Sequence, residues 1–176
     1  MKTQGIAEFQ KVSLDEYLKT RHAALGGYDN TGERAIEDAF AWEWQNIKLP
    51  TRSTSGAAGY DFYLPYDVVL TGMPVTIHTG VCCEIDPGWV LMVYPRSGLG
   101  FKYGVRLSNS VPVIDEDYIH ADNEGHIALR MYAADKSVLL HAGDRFAQGI
   151  FLPYGTAING NTDSLRHGGT GSTGLR

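Results

Sequence analysis

The chain has 176 residues, 43% of them hydrophobic and 20% charged, which suits one packed domain and excludes a disordered or fibrous protein. A net charge of -5 argues against a broad nucleic-acid or anionic-membrane surface, because such partners are held by many lysines and arginines. No stretch approaches the roughly twenty consecutive apolar residues of a membrane span.

Residues 1–10 lack the apolar core of a signal segment. Ser13 is placed to cap a helix, with Glu16 three residues on to complete a capping box and Val12 and Tyr17 spaced as a hydrophobic staple. A second helix is expected over about Glu33 to Trp44, with Ile36, Phe40 and Trp44 on one face. Residues 1–46 therefore read as a partly helical N-terminal extension packed on a main domain of residues 47–155.

From Ile47 the texture changes to short β-branched and aromatic runs, including "YDFYLP", "DVVLTG", "VTIHTGVCCEI", "WVLMVYP", "HIALRMYA" and "GIFLPY", punctuated by Pro, Gly and Asp. This pattern predicts an all-β domain, an antiparallel sandwich or jelly-roll-like barrel. Cys82 and Cys83 are neighbours that cannot easily bridge, so they read as reduced thiols in a strand, which suits the cytoplasm. "IDPGW" (Ile85 to Trp89) reads as a turn between strands.

Four stretches bear on chemistry, each with a plainer alternative. In "YPRSGLGFKYGV" (Tyr94 to Val105), Ser97 reads as the cap of a short helix, either as a structural turn or with its hydroxyl and neighbouring amides facing an anion. "SNSVPVIDEDYI" (Ser108 to Ile119) reads as a hairpin, either a polar turn or a support that directs Asp115 into a pocket to activate water. In "AGDRFAQGIFLP" (Ala142 to Pro153), Asp144 and Arg145 read as an ion pair holding a turn, and Gln148 offers a donor. The tail, residues 156–176, ends in "RHGGTGSTG": either a solvated linker, or a flexible arm whose amides and hydroxyls close round a phosphate that Arg166 neutralises.

Taken together, "AGYDF" (Ala58 to Phe62), "PRSGLG" (Pro95 to Gly100), "VIDEDY" (Val113 to Tyr118), "GDRFAQGIF" (Gly143 to Phe151) and "RHGGTGSTG" (Arg166 to Gly174) resemble, in order and spacing, the five motifs of the trimeric dUTP diphosphatases. The extension more loosely resembles Gram-positive bacterial and phage members. The resemblance implies hydrolysis of dUTP to dUMP and pyrophosphate, limiting uracil in DNA, by a homotrimer whose arms are exchanged. It implies that Asp115 orients and deprotonates the attacking water, that Tyr118 packs beneath the deoxyribose and excludes a 2′-hydroxyl, and that Asn109 reads the uracil edge. It further implies that Ser97, Gly98 and Gln148 bind phosphate oxygens with Arg96 in support, and that Arg166, Gly169, Gly171, Ser172 and Thr173 close over the triphosphate. Mg²⁺ is expected on the triphosphate itself, reaching Asp61 through water unless Asp61 only braces its motif.

The sequence departs from the family pattern twice. Thr170 stands where an aromatic is common, and "YIHADNEGHI" inserts polar residues after Tyr118. His120, Asp122 and His126 in that insertion have a loosely ligand-like spacing, yet read more simply as polar loop residues. Two other functions compete. A dCTP deaminase shares the fold, but "GHIALRM" (Gly125 to Met131) has Arg130 where that family carries its catalytic glutamate. A non-catalytic nucleotide-sensing or protein-binding relative is the second, in which the extension serves a partner.

Overall fold

A computed structural model of the chain describes residues 5–26, 33–160 and 168. A five-stranded sheet runs in the order β2 (Thr51–Arg52), β3 (Tyr60–Tyr63), β12 (Arg145–Pro153), β7 (Trp89–Pro95), β9 (Val113–Ile114). A three-stranded sheet holds β5 (Val75–His78), β10 (Ala128–Ala133) and β8 (Val105–Leu107). Two strand pairs complete the set: β4 (Val68–Leu70) with β11 (Val138–Leu140), and β1 (Ala7–Lys11) with β6 (Val81–Ile85). Every pairing is antiparallel. The described strands form open sheets around one core rather than a closed barrel, which makes the domain a jelly-roll-like sandwich. Phe62, Ile77, Leu91, Leu129, Met131 and Phe146 lie at its centre, fully buried.

The sheet face turned away from that core bears on function. Directly paired residues of antiparallel strands share a face. Ile150 of β12 pairs with Met92 of β7, which pairs with Val113 of β9, and Leu152 pairs with Val90. This outer stripe is apolar, yet Val113 is 54% and Leu152 39% exposed.

The extension is tied into the same core. Strand β1, which its five short residues gave little sign of, lays Phe9 among Tyr60, Phe62 and Phe151 at ring separations of 5.4 to 5.8 Å. Helix α1 (Leu14–Ala24) begins as expected, with Ser13 Oγ accepting from Glu16 N at 3.1 Å and with Val12 and Tyr17 both buried. Glu16 does not close the capping box: the Ser13 amide donates to Glu124 Oε2 at 2.6 Å, and the Ser13 hydroxyl to Glu124 Oε1 at 2.7 Å. Helix α2 (Glu33–Gln45) packs Phe40 inward, and its Glu43 accepts from Tyr17 Oη at 3.0 Å and Arg21 Nε at 2.9 Å. The Arg21 guanidinium lies 3.6 Å from the centre of the Tyr66 ring, so α1, α2 and the β domain meet at one cation.

Candidate active site

The buried carboxylate of Asp61 on β3, 5% exposed, organises the first group of residues. Its Oδ1 lies 3.2 Å from Arg96 Nε, its Oδ2 lies 3.2 Å from Arg145 Nη1, and its Oδ2 accepts from Ser53 Oγ at 2.7 Å. A carboxylate so far removed from water persists because two guanidinium groups and a hydroxyl satisfy it. Arg145 thus pairs with Asp61 and not with Asp144, contrary to the turn reading. Asp144 instead accepts from the backbone of His141 at 2.8 Å, and Asp67 holds the same turn by accepting from the Ala142 amide at 2.8 Å. Sequence reasoning missed Ser53 and misassigned Arg145, since neither has its partner nearby in the chain.

Gln148 stands opposite Asp61 on one side and Tyr94 on the other. Beyond β7, Arg96 rather than Ser97 is the N-cap of α3 (Ser97–Tyr103), and its side chain makes no capping bond because it is held by Asp61. Ser97 and Gly98 form the exposed first turn, where helix amides have no partner within the helix. Asp61, Arg96, Ser97, Gly98 and Gln148 therefore gather at one end of the five-stranded sheet.

The second group lies elsewhere. Residues 108–119 are not a hairpin, because β8 pairs with β10 in one sheet and β9 with β7 in another. Asn109 sits exposed in the turn between them, where Ser110 has φ 64°. Asp115 follows β9 in extended conformation, half-buried, on the outward face it shares with Val113. A 3-10 helix, Glu116–His120, follows and buries Tyr118, 5% exposed. Glu116 Oε2 accepts from Gly88 N at 2.6 Å, fixing this segment to the start of β7. Ile114 pairs with Leu91, and Arg96 lies five residues beyond Leu91. Asp115, one residue past Ile114, therefore falls beside Val90, six residues from Arg96, and at 3.3 Å per residue the two are roughly 20 Å apart in one chain.

Arg166, Gly169, Gly171, Ser172 and Thr173, with Thr170, lie outside the described residues. Among the inserted residues, His126 is buried rather than ligand-like. Its Nε2 accepts from Gly80 N at 2.8 Å, and its ring packs 5.8 Å from that of His78 and 6.3 Å from that of Tyr17. Burial, aided by His78, pushes its pKa down to about 4. Arg130, in the deaminase position, is exposed on β10. "IDPGW" is a turn, with Gly88 at φ 85°. Burial pushes the Cys82 and Cys83 thiols up to about 11 and 12, so both are protonated near neutrality and are not nucleophiles.

The family described as dUTPase matches residues 45–175. The deoxyuridine 5′-triphosphate nucleotidohydrolase of Lactococcus lactis is 38% identical over 146 residues, 80% of this chain and 97% of the relative. That of a Hydrogenobaculum species is 34% identical over 140 residues, 75% of this chain and 94% of the relative. Among solved structures, the dUTPase of Streptococcus mutans is 41% identical, with a TM-score of 0.58 over 66% of this chain and 91% of its own. A point mutant of the dUTPase of phage 80alpha, 16% identical, shares the fold over 94% of this chain and 92% of its own with a TM-score of 0.61.

Proposed function

The chain belongs to the dUTPase family and hydrolyses dUTP to dUMP and pyrophosphate, and we propose that it does so as a homotrimer whose active sites are divided between subunits. The observation that carries this reading is the separation, along β7, of Asp115 and Tyr118 from Asp61, Arg96, Ser97 and Gln148. Water held by Asp115 of one subunit reaches a triphosphate bound by Ser97, Gly98 and Gln148 of another. The apolar outer stripe through Val113, Met92, Ile150 and Leu152 supports subunit contact on the face that carries Asp115.

In this reaction Asp115 takes a proton from water as its oxygen bonds the α-phosphorus, and the bridging bond breaks with its electron pair leaving on pyrophosphate. Tyr118 lies beneath the deoxyribose and Asn109 meets the uracil edge. Arg96, oriented by Asp61, supports Ser97 and the amides that bind phosphate oxygens. Arg166 neutralises the γ-phosphate, while Gly169, Gly171, Ser172 and Thr173 close over the nucleotide and exclude water. Among the described residues there is no group of three or more His, Cys, Asp or Glu placed to hold a metal, and Asp61 is already neutralised by two arginines. These residues fit Mg²⁺ that arrives on the triphosphate, where it offsets charge, with Asp61 as a brace. Among the described residues no helix is long and apolar enough to cross a membrane. Two buried free thiols fit a reducing compartment, and we place the enzyme in the cytoplasm.

Pyrophosphate release from dUTP tests the activity, and a mixing experiment tests the division. Asp115→Asn protein and a Ser97→Ala, Gln148→Ala double variant should each lose nearly all activity. Co-refolded, they regain activity if a site draws on two subunits, because every mixed trimer then contains one intact site. A mixture as inactive as its components overturns the divided site.

A further inference from the structure

The insertion after Tyr118 and the N-terminal extension are the features that the reaction leaves unused, and they meet. The Tyr118 hydroxyl donates to the His126 carbonyl at 3.2 Å and accepts from Asn123 Nδ2 at 3.1 Å. The same Nδ2 group also donates to the His126 carbonyl, at 3.3 Å. The chain between them is wound back on itself by backbone bonds from Ala121 to Tyr118, Glu124 to Ala121 and His126 to Asn123. Gly125, at φ 66°, presses on the Tyr118 segment: a Cβ there would lie 2.8 Å from Ile119 Cα and 2.9 Å from the Tyr118 carbonyl oxygen. Glu124 itself is left-handed, at φ 56°, an uncommon conformation for a residue with a side chain. Its carboxylate takes both Ser13 donors, at 2.6 and 2.7 Å, and Ser13 lies before the family match begins at residue 45.

We propose that Asn123 and Glu124 are positioning residues through which the N-terminal extension sets sugar selectivity: Asn123 holds the Tyr118 hydroxyl, and Glu124 locks the Asn123 loop onto the start of α1. The proposal rests on the placement of Tyr118 beneath the deoxyribose. Rejecting a 2′-hydroxyl requires a ring that does not yield by the radius of one oxygen atom. Close packing limits such a ring, and a hydrogen bond at its hydroxyl backed by a closed loop adds a directional hold that packing alone lacks. Glu124 holds that loop in a conformation it would not otherwise favour, and releasing it frees Asn123 and with it the ring.

The test is the ratio of kcat/KM for dUTP to that for UTP, which is insensitive to the fraction of protein folded. Asn123→Ala and Glu124→Ala are expected to lower the ratio about three- to tenfold, chiefly by admitting UTP. Glu124→Gln, whose one amide oxygen keeps one of the two Ser13 donors, lowers it less than Glu124→Ala. Ser13→Ala, mild enough to fold if the others do not, lowers it to a smaller degree. Combined with Glu124→Ala it adds nothing, since both act on one contact. An unchanged ratio in Ser13→Ala, Asn123→Ala and Glu124→Ala, with only the melting temperature reduced, overturns the proposal and leaves the loop a structural support. Tyr118→Ala separates the two layers. If it lowers the ratio while the loop variants do not, the positioning role alone fails; if it leaves the ratio unchanged, the placement of Tyr118 fails and the proposal with it.

Discussion

Arg96 Nε lies 3.2 Å from Asp61 Oδ1, so the residue preceding the Ser97–Gly98 turn is anchored to a buried carboxylate two strands away. Asp61→Asn removes the charge that both Arg96 and Arg145 answer. The expected loss is about 1–3 kcal/mol of stability, because two guanidinium groups lose their partner while remaining partly wet. A fall in kcat/KM of about tenfold or more should accompany it as the turn carrying Ser97 loosens. Thermal unfolding and steady-state kinetics on one preparation check both.

Asp115→Asn keeps size and hydrogen bonding but removes the carboxylate proposed as the base. We expect kcat to fall about 100-fold or more with little change in nucleotide affinity, because the lost interaction matters only as the proton moves. Pyrophosphate release and calorimetric titration with a non-hydrolysable dUTP analogue measure the two quantities. Unaltered turnover would remove Asp115 from the chemistry.

Deleting residues 164–176 should leave the β domain and its assembly intact, since the core is built before Tyr154. Activity should collapse under the proposed role of Arg166 and the tail amides, which is to act on the triphosphate as charge develops. Mixing arm-deleted with Asp115→Asn subunits restores activity if an arm closes over a site that uses another subunit's Asp115, and restores none if each arm closes over the site that uses its own. Full activity in the deleted protein would make the tail a plain linker.

His126 carries a pH prediction. The unfolded chain protonates this ring below about pH 6.5, whereas burial keeps it neutral in the folded protein down to about 4, and burial likewise lowers the pKa of His78. Between those limits the unfolded state binds more protons, so stability rises with pH and is lost as pH falls from 6.5 toward 4. For His126 the loss is on the order of 2–3 kcal/mol. Urea midpoints at pH 7.5 and 5.0 should therefore differ more for the wild type than for His126→Gln, whose amide can still accept from Gly80. Equal pH slopes in the two proteins would show that His126 is not the titrating group.

Local physics was legible in the chain. Ser13 ahead of an apolar-periodic run identified α1 because capping depends on residues three positions apart. The short β-branched runs from Tyr60 onward announced strands, and the five motifs in order identified the family, because both signals are carried by contiguous residues. What the tertiary structure decided is who meets whom. Arg145 neighbours Asp144 in the chain but binds Asp61, 84 positions away. Glu16 was spaced to complete the cap, yet Glu124, 111 positions on, took both Ser13 donors. The segment after β8 looked like a hairpin until the two strands went to different sheets. In each case a charged or backbone group had a local partner on offer and a distant one that folding brought closer. Sequence records the spacing of the first partner, and only packing determines the distance to the second.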